Sequence, residues 1–66
     1  MNETTKAALI EQFNQLHKCY DAITLLTDKE NLIKGNDKLS NAIAAIYCAY
    51  EDYGFALERM GLKLEW

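Results

Sequence analysis

Proline is absent from this 66-residue chain, and glycine occurs only at Gly35, Gly54 and Gly61. With so few chain-breakers, the one stretch that forces an interruption is the polar run around Gly35, which divides the sequence into two halves. Cysteine is equally scarce. Cys19 and Cys48 sit in separate amphipathic segments, which excludes the dense cysteine framework of a small secreted domain and points to reduced thiols in a cytoplasmic protein. No apolar run approaches the ~20 residues that a membrane span requires. The opening Met-Asn-Glu-Thr-Thr-Lys has no basic stretch followed by an apolar one, so no signal peptide is expected. Internal repeats, low-complexity tracts and linkers are also missing, which leaves residues 1–66 as a single helical domain.

Positive charge is in the minority. Ten acidic residues against seven basic ones give a net charge of -3, a field that repels phosphate and argues against nucleic acid as a partner. Lys29, Lys34 and Lys38 gather near the central turn, but Asp28, Glu30 and Asp37 are interleaved with them and cancel the local field.

Two apolar patterns remain once these classes are set aside. Leu9, Phe13, Leu16, Tyr20 and Ile23 step by alternating fours and threes, which puts them on one stripe of a helix that Asn2 or Thr4 is placed to cap. Leu39, Ile43, Ile46, Tyr50, Tyr53, Leu57 and Met60 repeat that alternation in a second helix, with Asn36 or Asp37 as its cap. Between the two, Thr27-Asp28-Lys29-Glu30 has the spacing of a capping box, in which the Thr hydroxyl and Glu carboxylate satisfy backbone N–H groups at a helix start. A short middle helix through Asn31–Lys34, ended by Gly35, is then one reading; a first helix continuous to Lys34 is the other. The end of the chain, Leu-Lys-Leu-Glu-Trp, fits either an extended arm or a continuation of the second helix.

The fold expected is therefore an all-α antiparallel hairpin. Two helices alone leave their flanks wet, and chains of this size usually need a disulfide, a metal or a partner chain for stability. Ala42, Ala49 and Ala56 recur every seven residues beside the second seam and allow another helix to approach closely. The expectation is a homodimer forming a four-helix bundle through the two seams. Phe55, Cys48 and Leu25 fall roughly opposite those seams on the helical wheel, at about 160–180° for the first two. With Trp66 they form either a second docking stripe for a different protein or a face covered by the folded-back tail.

Catalytic, cofactor and metal sites are not expected. His17 is the only histidine, nothing nearby supplies further ligands or an oriented nucleophile, and Cys19 lies roughly 160° away from it on a helix. Asn14 stands three residues before His17, where a di-metal bundle requires a glutamate. Glu51, Asp52 and Glu58 spread around the outside of the second helix, where no apolar enclosure would raise a carboxyl pKa. Gly-rich phosphate loops, a Gly-x-Ser-x-Gly elbow and a Cys-x-x-Cys pair are all lacking.

In length and layout the chain resembles the Rop-like RNA-binding hairpin dimers, a likeness that implies RNA binding as one possible function without any shared residue motif. Leu39-Ser40-Asn41-Ala42-Ile43-Ala44-Ala45-Ile46 is similar to the second helix of the small acidic co-chaperones of type III secretion needle subunits, as any alanine-rich amphipathic helix is. That likeness implies a subunit of a hetero-oligomeric complex. The leading expectation is a small non-enzymatic protein–protein interaction module, acting as regulator, inhibitor or adaptor, of the kind common among phage and bacterial mobile-element products.

Overall fold

The computed structural model describes residues 1–66 as two helices, α1 (Glu3–Lys29) and α2 (Asp37–Arg59), with no strand. They lie antiparallel: Tyr53 meets Leu9, Tyr50 meets Phe13 and His17, and Tyr47 meets Tyr20, in steadily reversed order. The fold is the helical hairpin that the two 4-3 patterns predict. Neither helix is long and apolar enough to cross a membrane.

Both N-terminal caps are asparagines. Asn2 Oδ1 accepts the Thr5 N–H at 2.8 Å, and Asn36 Oδ1 accepts that of Leu39 at 3.1 Å. Each thereby satisfies one of the four first-turn donors a helix leaves free. An acidic side chain follows each cap, Glu3 and Asp37, and a basic one closes each last turn, Lys29 and Arg59, as the helix dipole favours.

The middle of the chain departs from the sequence expectation. Thr27 does not start a helix; it lies buried inside α1, and its hydroxyl donates back to the Ile23 and Thr24 carbonyls at 2.9 and 3.0 Å. A threonine bonded to the preceding turn is in helical conformation and is unable to cap a following one. The helix ends two residues later at Lys29, and Asn31, just past the Glu30 cap, has a left-handed φ of 51°. The Leu32 N–H donates to Thr27 O and the Asn31 N–H to Asp28 O, at 2.9 and 3.2 Å, the paired bonds of a Schellman terminator. Asparagine tolerates this conformation better than other non-glycine residues. There is no middle helix, and α1 does not reach Lys34. Gly35 is left-handed, φ 75°, but it serves the turn closed by the Asn36 N–H on Ile33 O at 2.9 Å.

α2 ends the same way, with Gly61 left-handed and Leu62 N–H on Leu57 O at 3.1 Å. Here the terminator also carries its hydrophobic contact, since Leu57 and Leu62 are both buried in the core. The turn redirects the chain, and residues 62–66 run back as a non-helical arm. The core sits at this open end of the hairpin: Phe13, Tyr50, Leu57 and Leu62 at the centre, with Leu9, Ile10, Leu16, Tyr53 and Leu64 packed against them.

Candidate interaction surfaces

The residues of the two predicted seams divide into three groups. Phe13, Ile43, Tyr50 and Leu57 are buried within the single hairpin. Leu9, Leu16, Tyr20, Ile23, Leu39, Ile46 and Tyr53 are half-buried, and Met60, at the end of α2, is exposed. The centre of each stripe is thus consumed by the chain's own packing, while its flanks still meet solvent.

The aromatic rings cross the interhelical seam as one cluster. Phe13 stacks on Tyr50 with centroids 4.9 Å apart, His17 stacks on the same ring at 5.1 Å, and Tyr20 meets Tyr47 at 5.3 Å. Burial, and then the Asp21 and Glu51 carboxylates, hold the Tyr50 phenol above its ordinary range. Glu51, and then burial, does the same for Tyr47. Both hydroxyls therefore remain neutral at neutral pH. His17 Nε2 stands 3.3 Å from Asp21 Oδ2 at the edge of the cluster. No group of three or more His, Cys, Asp and Glu side chains is placed to hold a metal ion. Cys19 and Cys48 are free and exposed.

Trp66 returns along the arm to the core. Its ring lies 5.2 Å from Phe13 and 5.4 Å from Tyr50, both near edge-on, and 5.2 Å from Phe55. Its indole N–H donates to Glu58 Oε2 at 3.0 Å. The notch that receives it exists because Gly54 has no side chain; a Cβ there would collide with the Trp66 ring and come within 2.7 Å of Phe13 Cε1. Of the second predicted stripe, Phe55 and Trp66 meet, each about half exposed at 50% and 48%. Leu25 stands apart, 71% exposed near the turn end; at a 1.5 Å rise per residue it is roughly 20 Å along the axis from Phe55, with Cys48 between them on the outside of α2. These four residues do not make one patch.

Trp66 folds back to meet Phe55, one of the two alternatives the sequence leaves for the tail, whereas the use of Leu62 and Leu64 as packing residues was not foreseen. Their every-second-residue spacing was the available signal. Because Phe55 shares one ring contact with Trp66 and keeps half its surface in water, Phe55→Ala is expected to cost about 1 kcal/mol, the range of one aromatic pair. Denaturant unfolding of the variant measures this, and a loss of 3 kcal/mol or more would place the ring in the core.

The hairpin has two unlike faces. Helical geometry places Glu3, Lys6, Asp21 and Asp28 of α1 on the side that also carries Glu51, Glu58 and the Trp66 arm. The opposite side presents Ala8, Gln12, Leu16, Cys19, Ile23 and Leu26 from α1. From α2 it presents Ala42, Ile46, Ala49, Tyr53, Ala56 and Met60, again spaced by threes and fours. These rows fall together because antiparallel helices turn in opposite senses when viewed from one end; the Tyr53 hydroxyl donating to Leu9 O at 3.2 Å ties them across the seam. Glu30 at the end of α1 and Lys38 in the first turn of α2 mark the turn edge of this bare face, and its rows from Ala8 to Leu26 and from Leu39 to Met60 carry no charged side chain.

The chain matches no protein-family model, no curated protein and no solved structure.

Proposed function

We propose that this protein is a small non-enzymatic interaction module that works as a homodimer, two hairpins forming a four-helix bundle, and binds a protein partner as regulator, inhibitor or adaptor. The observation that carries the reading is the apolar flank of the core that still meets water: Ile23, Leu39 and Ile46 are half-buried, Leu26 and Met60 exposed. A folded soluble chain gains by removing such surface from water, at roughly 25 cal/mol per Å². The acidic balance of the chain favours a protein partner over nucleic acid.

Sedimentation equilibrium tests the self-association. A dimer is expected at micromolar concentration, and Ile46→Asp should convert it to monomer, because a carboxylate enclosed between helices without a partner costs several kcal/mol. A wild-type chain that stays monomeric and fully helical would overturn the dimer. RNA binding that weakens steeply with salt would replace the protein partner by a nucleic acid.

A further inference from the structure

We infer that the charge-free face, and not the face covered by the Trp66 arm, is the surface on which a second copy of this chain docks. The inference rests on the dimeric reading above and adds to it which residues meet.

Three observations converge. The first is area. The chain exposes 5006 Å², whereas a compact monomer of 7.6 kDa exposes about 4,300 Å². The surplus of about 700 Å² is close to the ~800 Å² that each partner contributes to an interface of standard size. The outline of the hairpin, 46 by 17 Å, offers one face of about that extent. The second is the asymmetry of the faces. The arm already covers one of them, with Leu62 buried, Leu64 packed on the core and Trp66 bonded to Glu58, so a second hairpin there would have to displace it. The third is relief and charge. Ala42, Ala49 and Ala56 form a shallow row alongside Ile46 and Tyr53, and small side chains let helices approach to 8–10 Å. Between Glu30 and Lys38 at the turn and the open end of the hairpin, the face carries no carboxylate or ammonium group, so two copies can bring its middle together about a two-fold axis with no like charges opposed. This face is also continuous with the core, since Leu16 and Tyr53 belong to both.

The chain contains its own reporters. Cys19 lies on the charge-free face beside Leu16 and Ile23; Cys48 points outward from α2 on the other side, and both are exposed in the single hairpin. Alkylation by a bulky maleimide, followed residue by residue with mass spectrometry, is to be compared below and above the dimer concentration found by sedimentation. Cys19 is expected to slow at least 10-fold on association while Cys48 keeps its rate. As a second measurement, Ala49→Glu should weaken the dimer about 100-fold or more, and Ala44→Glu, on the other side of α2, should leave it intact. Both positions are exposed in the hairpin, so circular dichroism should show unchanged helix in each. A dimer in which Cys48 is protected and Cys19 is not, or one that survives Ala49→Glu, would overturn this assignment while leaving the dimeric reading standing. A wild-type chain monomeric at all concentrations would remove both.

Discussion

Phe13→Ala should leave half or more of the molecules unfolded at 25 °C. Phe13 is the one large side chain with no exposed surface at all, and it lies where everything else meets: stacked on Tyr50, tilted against Tyr53 at 6.5 Å, edge-on to Trp66. Large-to-small aromatic substitutions at such sites cost about 3–5 kcal/mol, because the lost transfer energy is compounded by a cavity the surroundings fail to close. A single core in a chain below about 70 residues supplies no more than about 3–5 kcal/mol in total. The two quantities are of one size, so the substitution should bring folded and unfolded populations to parity or below. Far-UV circular dichroism at low protein concentration, where association adds least to stability, reads the result. Retention of full helicity, with a denaturation midpoint near that of the wild type, would mean that the hairpin is held together elsewhere.

The outcome at Phe13 was legible in the sequence, and that at the turn was not, for a physical reason. A 4-3 run such as Leu9, Phe13, Leu16, Tyr20, Ile23 has one helical interpretation, which puts Phe13 on the stripe that packs inward; that Phe13 and not the middle residue Leu16 is buried most deeply is decided by the Tyr50, Tyr53 and Trp66 rings around it. Asn2 and Asn36 stood next to such runs and act as caps. Thr27-Asp28-Lys29-Glu30 is ambiguous because threonine can bond forward to a helix it begins or backward to one it continues, and the choice depends on whether the site is buried. Thr27 is buried, so it bonds backward, and Asn31 inherits the terminator role. The arm was half legible: alternation at Leu62, Leu64 and Trp66 argued for an extended run, but not where that run would dock. The docking site is made by a missing side chain. Gly54 carries no turn and no positive φ, so nothing in the local sequence distinguishes it from a weak spot in a helix.

Gly54→Ala is therefore expected to have opposite consequences in two backgrounds. In an isolated helix the change gains about 1 kcal/mol, since glycine loses more conformational freedom than alanine on folding. In this chain the added methyl would overlap the Trp66 ring and press on Phe13. Of the two, Trp66 gives way more easily. Residues 63–66 form no backbone hydrogen bonds and are held by the Leu64 and Trp66 side chains and the one indole bond to Glu58. Expelling the ring forfeits its contacts with Phe13, Tyr50 and Phe55, each worth about 0.5–1.5 kcal/mol. With the helix gain subtracted, Gly54→Ala should lower stability by about 2 kcal/mol, within a range of about 0.5–3.5 kcal/mol. Emission from Trp66, the only tryptophan, should shift toward that of a solvated indole. In a Trp66→Ala chain the same substitution meets only the edge of Phe13 and should be close to neutral. The double-mutant cycle should accordingly show coupling of at least about 1 kcal/mol, well outside the error of denaturant unfolding. Additive losses with an unshifted emission maximum would mean that the indole does not occupy the Gly54 notch, and that the face assigned here to the arm is open in solution.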